Sequence, residues 1–580
     1  MRGLGGEGRM GLGLTIDRGG PAFDATARTD LEAILNDATP AAPDSMEALS
    51  LLRHYRLSKY NRWRDARQGD LPQKPFVLLV DQVEGDASVA GAGGTAQSFE
   101  QMINTARDLY PDHTLVLRGH PRGRGHITSF LCPDVQILAE PINPWDVLRA
   151  ADAVLTVSSQ IGMEAIFAGH RPHLFGAAWY GGWGLTEDHV VMPAERRARL
   201  TPEKLFDALY RRYTHWHDPL SGAPISLMEA LQRCDGLARA ARHTTEPMVL
   251  AGMRPWKRAH VAKMLSAGGG HVRFAPTIEK ARLTAVAGER PVIWASRADG
   301  QNTVMRLEDG VLRSRGLGAQ LVPALSLMLD PDGIAFDAIR PSRLEQAIAE
   351  SPGLPPAAIA RAAALRTAIV DAALSKYNTS TAPDQVGDGP WTLVVGQVED
   401  DASLRLGGGT IRTNQALLAA ARARFPNARL LYRPHPDVVA GLRDGRIGAE
   451  EADAIDAGGS LEALWPQLER VVTMTSTTGF EALLRSVPVS VFGWPFYAGW
   501  GLTDDRGPKT AMLRRGISVS LDGLVHAALI EAPMYRHPRE DRPASPEEIV
   551  AHLAEQGPPV RLSWGAKLQG AALRFGPFWR

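Results

Sequence analysis

The chain carries the same pair of carboxylates twice, each pair directly after a short apolar run. Glu84 and Asp86 lie in DQVEGDAS, and Glu399 and Asp401 lie in GQVEDDAS. Two carboxylates at the end of a strand can supply the nucleophile and the acid or base for transfer of a sugar. Acids that only cap the next helix would leave the same pattern, so the residues alone keep both interpretations open.

A hydroxyl-rich segment opens a predicted helix in each half of the chain, and a glutamate follows it. The free N–H groups and positive dipole end of a helix N-terminus favour phosphate, although Ser and Thr are also ordinary N-caps. The glutamate could accept hydrogen bonds from both hydroxyls of a ribose or stabilise the helix dipole. We predict that nucleotide binding involves Ser158, Ser159, Gly162 and Glu164, and then Ser476, Thr477, Thr478, Gly479 and Glu481.

An Arg-x-His-Pro segment follows another apolar run in each half. It contains Arg118 and His120 in the first half, and Arg433 and His435 in the second. Proline stiffens such a loop, and a fixed imidazole can donate to a phosphate or act as an acid or base near neutral pH. No second ligand has helical or hairpin spacing to these histidines, so we predict no metal site and no cofactor.

Aromatic residues lie among glycines in a fourth repeated segment. Tyr180 and Trp183 belong to YGGWGLT, and Tyr497 and Trp500 belong to YAGWGLT. Flat rings with glycine spacers can stack on a base or a sugar, whereas packing in a buried core is the commoner use of such rings. The sequence does not decide between these two roles.

A long internal repeat must position these motifs. The glutamines of the two QVE motifs lie 315 residues apart, as do the two motif histidines, and the glutamates and aromatic segments lie 317 residues apart. SKYN and AFDA recur as well, which indicates duplication of a domain-scale module. Within each copy, apolar β-branched runs alternate with helical segments. This alternation predicts an α/β fold with parallel sheets and ligands beyond the carboxyl ends of the strands.

Composition narrows the functional class. Lys and Arg together number 64, as do Asp and Glu, so no basic excess indicates nucleic-acid binding. The two cysteines, Cys132 and Cys234, exclude a disulfide framework. No apolar run approaches the length of a membrane span. The tail, residues 546–580, is rich in basic and aromatic residues toward its end, which suits either an anionic bilayer surface or packing on its own domain.

Taken together, QVExDAS, RPHPD, STTGFEAL, FYAGWGLT and LEDGVLRSRGLG resemble the KpsC-type (LipA-type) capsule polysaccharide proteins over nearly the whole chain. The resemblance implies two tandem GT-B-like modules of Rossmann-like lobes. Such modules transfer Kdo from CMP-Kdo with retention and build a β-linked oligo-Kdo linker on lyso-phosphatidylglycerol. It implies Asp86 and Asp401 as nucleophiles, and donor contacts from the histidine and hydroxyl-glutamate segments. The implied acceptor and sugar side comprises Glu308, Asp309, Arg313, Tyr180, Trp183, Tyr497 and Trp500.

The repeat and the resemblance predict how the chain is divided. The expected segments are an acceptor-side lobe at 1–70, a nucleotide-sugar-binding lobe at 71–245, the corresponding lobes of the second module at 246–388 and 389–545, and the tail at 546–580. RGLG at 2–5 aligns with RGLG at 315–318. We therefore expect the first module to lack the front of its N-terminal lobe, through a late start or degeneration, and to be inactive when isolated.

Two other functions fit the same motifs. One is a nucleotide-sugar hydrolase or epimerase with a similar two-lobed fold, and the other is a non-catalytic capsule-assembly scaffold.

The resemblance implies a cytoplasmic protein at the inner membrane of a Gram-negative bacterium. Its expected partners are the CMP-Kdo donor, a lipid-linked Kdo acceptor, and capsule assembly and export proteins.

Overall fold

A computed structural model of the chain describes residues 11–119, 123–127, 134–138, 140–298, 304–316, 322–376, 378, 386–439, 451–456, 460–507 and 512–555. The chain divides into two compact units, Met1–Thr245 and Glu246–Arg580. Among the described helices, none is both long and apolar enough to cross a lipid bilayer. Most of the basic and aromatic tail lies outside the described residues.

The first unit is built on a parallel sheet. Its described strands are β1 (Gly13–Thr15), β2 (Phe76–Val80), β3 (Thr114–Arg118), β4 (Val135–Leu138), β5 (Ala153–Thr156), β6 (His173–Leu174), β7 (Glu187–Asp188) and β8 (Thr214–Trp216). The sheet has the order β4-β3-β2-β5-β6-β7, with every neighbouring pair parallel. All five residues of β2 are buried, because helices cover both faces of such a sheet. The strands β1 and β8 form a separate antiparallel pair.

Helices connect these strands. In the described part of this unit they are α1 (Asp30–Asn36), α2 (Pro43–His54), α3 (Ala87–Gly91), α4 (Ala96–Leu109), α5 (Pro144–Ala150), α6 (Gln160–Ala168), α7 (Pro202–Phe206) and α8 (Leu227–His243). Their beginnings follow from local chemistry. Ser226 and Glu229, for example, form the reciprocal capping box that starts α8. The helix α7 continues directly into a π-helix at Asp207–Tyr213.

The second unit contains two sheets in its described residues. Its strands are β9 (Met248–Ala251), β10 (Val272–Ala275), β11 (Arg290–Trp294), β12 (Met305–Asp309), β13 (Ser326–Asp330), β14 (Trp391–Val395), β15 (Leu430–Arg433), β16 (Ala454–Ile455), β17 (Leu468–Thr473), β18 (Val489–Val491), β19 (Asp504–Asp505), β20 (Pro533–His537) and β21 (Arg542–Ala544). One sheet has the order β10-β9-β11-β12-β13-β20-β21 and is parallel from β10 to β12. The other is fully parallel, in the order β16-β15-β14-β17-β18-β19.

The described helices of the second unit are α9 (Pro255–Leu265), α10 (Ile278–Thr284), α11 (Arg343–Glu350), α12 (Pro356–Asp371), α13 (Ala402–Gly407), α14 (Asn414–Arg424), α15 (Pro436–Val439), α16 (Thr477–Leu484), α17 (Met512–Arg515), α18 (Leu521–Val525) and α19 (Pro546–Ala554). A single apolar core reaches from Leu325 and Met328 of the first sheet region to Leu393 and Val471 of the second. The predicted α/β class, with parallel sheets in both copies, is confirmed.

The two units correspond strand by strand over most of their length. The parallel sheet of the first unit has the same strand order as the second sheet of the other unit, at the repeat offset. The pair β1–β8 corresponds in sequence to β13–β20. Among the described residues of the first unit, no strands correspond to β9–β12.

Candidate donor site

The repeated motifs meet at the carboxyl edge of each parallel sheet, where a glutamine links two of the loops by hydrogen bonds. In the second unit, Gln397 follows β14 and its side-chain oxygen accepts from Thr475 N at 2.8 Å, while its Nε2 donates to Thr475 Oγ1 at 2.9 Å. In the first unit, Gln82 accepts from Ser158 N at 2.9 Å and donates to Ser158 Oγ at 3.1 Å. Sequence analysis gave this glutamine no role, although its recurrence in both QVE motifs was visible.

The aspartates Asp86 and Asp401 are helix caps that remain accessible. Asp401 is the N-cap of α13 and accepts from Ser403 N at 3.3 Å and Ser403 Oγ at 2.6 Å. Asp86 caps α3 through Ser88 in the same way. Asp401 is nevertheless exposed and Asp86 is half-buried. Each carboxylate is therefore fixed in direction by the cap and still accessible at the sheet edge.

The glutamates of the same motifs, Glu84 and Glu399, make different contacts in the two units. Glu399 accepts from Asn414 N at 2.8 Å, at the beginning of α14. Glu84 is exposed, and its nearest described cation is Arg124, with 3.7 Å between Oε1 and Nε. Of the two acidic residues in each motif, only the aspartate therefore has the same position and hydrogen bonds in both units.

The hydroxyl-rich segments form helix N-termini, as predicted. Ser476 caps α16 by accepting from Thr478 N at 3.2 Å, and Ser159 caps α6 by accepting from Ile161 N at 3.3 Å. Thr477 and Thr478 form the first turn of α16. Ser158 is buried instead and is held by Gln82, so its hydroxyl supports the loop.

The two motif glycines make room for a tyrosine rather than for a ligand. A Cβ at Gly479 would lie 2.2 Å from the hydroxyl oxygen of Tyr497, and a Cβ at Gly162 would lie 2.3 Å from that of Tyr180. Each tyrosine hydroxyl donates to the carbonyl of the N-cap serine, Ser476 or Ser159. This pairing of glycine with tyrosine fixes the helix N-terminus at the sheet edge.

The motif aromatic residues require a correction. Tyr180, Trp183, Tyr497 and Trp500 are 0% exposed. The indole of Trp183 donates to Trp179 O at 2.9 Å, and that of Trp500 donates to Phe496 O at 2.8 Å. A ring without accessible surface cannot stack on a sugar, so the assignment of these four residues to the acceptor side is wrong. They pack in the core, where burying a large ring is most favourable.

The glutamates Glu164 and Glu481 hold the SKYN segment, which sequence analysis left without a role. Glu481 is buried and its Oε1 accepts from Lys376 N at 2.7 Å. Glu164 accepts from Lys59 N at 3.1 Å and from Ser58 Oγ at 2.8 Å. Burial raises the pKa of both carboxyl groups, and the backbone hydrogen bonds from the SKYN segment oppose that rise.

The Arg-x-His-Pro segments differ between the units. The carbonyl of His435 accepts from Val438 N and Val439 N, so this histidine begins the short α15 beside the sheet edge. His120 lies outside the described residues.

The arginines of these segments are engaged within the protein. Arg433 forms an ion pair with Asp456. Arg118 is 3% exposed, and its guanidinium lies over the Trp63 ring. Burial lowers the pKa of Arg118 to about 10. Because the side chain is almost inaccessible and donates to Ile142 O, the prediction that Arg118 contacts the donor is wrong for the described structure.

A group of largely half-buried charges lies at the carboxyl end of β12, where acceptor-side residues were predicted. Asp309 accepts from Lys257 Nζ at 3.1 Å and from Arg313 Nε at 3.0 Å. Burial alone would raise the pKa of Asp309, but Lys257 and Arg313 hold it below its usual value. Burial, reinforced by the charge of Asp309, raises the pKa of Glu308 to about 8. Arg313 is itself buried, so it supports Asp309 rather than facing solvent.

Comparison with known proteins gives a consistent result. The sequence model of the capsule polysaccharide biosynthesis protein family matches residues 24–217 and 370–535. The chain is 34% identical over 590 aligned residues to the capsule polysaccharide modification protein LipA of Neisseria meningitidis serogroup B, covering 96% of this chain and 83% of that protein. It is 37% identical over 354 residues to the lipopolysaccharide-processing protein LpsZ of Rhizobium meliloti, covering 57% of this chain and 80% of that protein.

Two solved structures from Thermosulfurimonas dismutans are also similar to this chain. The KpsC β-Kdo 2,7 transferase is 32% identical, with a TM-score of 0.44, over 53% of this chain and 99% of that chain. The KpsC β-Kdo 2,4 transferase is 28% identical, with a TM-score of 0.47, over 54% of this chain and 99% of that chain.

Proposed function

The chain belongs to the capsule polysaccharide biosynthesis protein family, and from that premise we propose that it is a glycosyltransferase that adds Kdo to a capsule lipid linker. The donor is CMP-Kdo, and the product is a β-linked oligo-Kdo chain on lyso-phosphatidylglycerol, made with retention at the anomeric carbon. One observation supports this proposal most directly. In both units an accessible aspartate is held by a helix cap beside the N-terminus of a second helix.

Retention requires two displacements at the anomeric carbon, and the site offers one group for the first of them. The carboxylate of Asp401, or of Asp86 in the first unit, attacks the anomeric carbon while the bond to the CMP phosphate breaks. An ester between Kdo and the aspartate results, and CMP leaves with the bonding electron pair. The acceptor hydroxyl then attacks the same carbon, releases the aspartate and gives up its proton.

The leaving CMP phosphate is assigned to the N-terminus of the helix beside the aspartate. In the second unit the phosphate is assigned to the N–H group of Thr477, the Ser476 hydroxyl and His435, at the beginning of α16 and of α15, and Glu481 is assigned to the ribose. The first unit offers the N-terminus of α6, capped by Ser159, while both oxygens of the buried Glu164 are engaged by the SKYN segment. Helix dipoles and unpaired N–H groups favour such an anion as its charge develops.

Proton transfer to and from the acceptor is assigned to Glu308. A carboxyl group whose pKa is about 8 exchanges its proton near neutral pH, as a general acid or base must. Its neighbour Asp309 stays ionised between Lys257 and Arg313. The two adjacent carboxyl groups have different surroundings that shift their pKa values in opposite directions, which is typical of sites that handle protons.

The proposal is tested by incubating the full chain with CMP-Kdo and a Kdo-terminated lipid acceptor. A transferase lengthens the acceptor by Kdo residues, which mass spectrometry detects, and NMR of the product shows the β configuration. A hydrolase would release free Kdo without lengthening the acceptor, an epimerase would return an altered nucleotide sugar, and a scaffold would leave CMP-Kdo unchanged. The proposed cytoplasmic location at the inner membrane is tested by cell fractionation, since capsule linkers are assembled on lipid.

Replacement of Glu481 by Gln is expected to weaken CMP binding by about tenfold, the scale for losing one charge-assisted hydrogen bond. The glutamine oxygen still accepts from Lys376 N, so the SKYN segment should stay in place and the melting temperature should change little. Calorimetric titration of the full chain with CMP measures the affinity.

The variant Glu481→Ala provides the comparison, because it removes the acceptor for Lys376 N as well. Leaving this N–H without a partner should cost about 1–3 kcal/mol of stability. Unchanged CMP affinity in Glu481→Gln would contradict the ribose role and leave Glu481 as the residue that holds the SKYN segment.

Replacement of Glu308 by Gln is expected to stabilise the protein increasingly as the pH rises. The carboxyl group has a pKa of 4.5 when unperturbed and about 8 in the folded chain. Between these values only the unfolded chain releases the proton, so the wild type loses stability as the pH rises through this range. One pKa unit corresponds to about 1.4 kcal/mol. At the upper end of this pH range we therefore expect the free energy of unfolding of Glu308→Gln to exceed that of the wild type by at least that amount.

Melting temperatures of both proteins across this pH range measure the effect. Glu350→Gln is the control, because Glu350 is exposed at the end of α11 and its replacement should give no pH-dependent difference. A gain for Glu308→Gln that is constant with pH, or that shrinks as the pH rises, would contradict the raised pKa.

A further inference from the structure

A cavity of about 490 Å³ lies at the carboxyl ends of β9, β10 and β11 in the second unit. Its lining includes Gly252, Arg254, Thr277, Glu279 and Arg297. The donor motifs do not contribute to it, because they all follow strands of the other sheet. Ligands of parallel α/β sheets bind at this edge of the strands, so the location is one where a binding site is expected.

Two arginines line the cavity, Arg254 and Arg297. Arg254 follows β9 and is the N-cap residue of α9, and Arg297 ends the short turn after β11. Both are exposed. Within the described part of the chain, neither guanidinium takes part in a hydrogen bond or an ion pair. Most other arginines near this sheet are engaged, as Arg273 is with Glu289 and Arg536 is with Asp541.

The backbone at the end of β9 is shaped to admit one of these side chains. Gly252 has φ of +72°, a conformation that residues other than glycine rarely adopt. A Cβ at this position would lie 3.3 Å from both Cβ and Cγ of Arg297. Glycine therefore allows the turn to be made and the Arg297 stem to lie against it, with the guanidinium at the cavity.

The charge around the cavity favours an anion. Glu279 is the one carboxylate among its lining residues, against Arg254 and Arg297. Lys257, in the first turn of α9, shares the single carboxylate of Asp309 with Arg313, so this group does not offset the positive excess. The first N–H groups of α9, a helix of 11 residues, add a positive dipole end beside Arg254.

We infer that this cavity binds an anionic group of the acceptor, either the carboxylate of an acidic sugar or the phosphodiester of a lipid headgroup. The inference rests on the proposed function for the existence of such an acceptor. The position is suitable because β12, which ends at Glu308 and Asp309, is the parallel neighbour of β11. An anion held here would lie at the same sheet edge as the group assigned to the acceptor proton.

The test compares two double variants of the full chain. Arg254→Gln with Arg297→Gln removes the two cavity cations. Lys280→Gln with Arg290→Gln removes two cations of the same sheet region that do not line the cavity; Lys280 is exposed on α10, and Arg290 pairs with Glu246. Calorimetry measures binding of a Kdo-terminated lipid acceptor. We expect the cavity variant to bind about tenfold to hundredfold more weakly, the range for losing one or two charge-assisted contacts, and the control variant to bind as the wild type does.

Modified acceptors identify the anion. If the sugar carboxylate is bound, an acceptor with carboxamides in place of carboxylates should bind both double variants and the wild type equally. If the phosphodiester is bound, the difference should persist with the carboxamide acceptor and vanish with a lipid-free oligosaccharide. Equal affinity of the cavity variant and the wild type for the unmodified acceptor would overturn the inference. A wild type that binds the acceptor but transfers no Kdo would instead overturn the proposed function, so the two failures are distinguishable.

Discussion

Replacement of Asp401 by Asn is expected to lower Kdo transfer by the second unit by about a thousandfold or more, the scale seen when a catalytic nucleophile is lost. Asparagine retains a side-chain oxygen that can accept from Ser403 N, so the cap of α13 should survive. Alanine would remove the cap as well and would confuse loss of stability with loss of chemistry. CMP affinity should stay within about threefold of wild type, because the phosphate and ribose contacts are assigned to α16.

The measurement is product analysis with each unit disabled in turn. Asp401→Asn should remove the linkage made by the second unit, whereas Asp86→Asn should leave that linkage in place. Asp400→Asn is the matched control, since Asp400 is an exposed acid in the same loop and its loss should leave transfer unchanged. Mass spectrometry of the wild type after rapid quenching should show one Kdo on Asp401. Substantial transfer by Asp401→Asn, or an adduct on another residue, would disprove the assignment.

Replacement of Gly479 by Ala is expected to destabilise the second unit by ~3 kcal/mol, as overpacking of a buried site does. The new methyl group would lie 2.2 Å from the Tyr497 hydroxyl oxygen and 2.8 Å from its Cζ. Tyr497 is completely buried, so its ring has no free space to enter. The helix N-terminus must shift instead, and with it the N–H group assigned to the donor phosphate. We therefore also expect weaker CMP binding by this unit.

Thermal unfolding of the full chain, together with CMP titration, measures both effects. Gly353→Ala is the matched control, because a Cβ there meets no atom within 4 Å. The double variant Gly479→Ala with Tyr497→Phe should recover part of the lost stability, since the hydroxyl is the closest atom to the new methyl group. If Gly479→Ala melts like the wild type, or if the double variant recovers nothing, the contact with Tyr497 is not what requires glycine at this position.

The sequence was sufficient for features that depend on local pattern. Apolar β-branched runs alternating with helical segments predicted the parallel sheets, because burial on both faces leaves few polar positions in a strand. The repeat predicted that both units would place the same motifs at the same sheet edge. The cap at Ser476 and the exposed cap at Asp401 also follow from local rules, since a side chain and an N–H two residues later are always close in sequence.

Tertiary structure decided which motif residues face solvent and which support others. Tyr497 and Trp500 lie among glycines, a pattern equally suited to stacking on a sugar, and only the fold shows that they are completely buried. Glu481 accepts from an N–H 105 residues earlier in the chain, and Gln397 accepts from one 78 residues later. No local pattern specifies partners so distant, because they meet only when parallel strands bring their carboxyl ends together. Sequence therefore determined where the chemistry lies along the chain, and the packing of the sheets determined which side chains remain free to perform it.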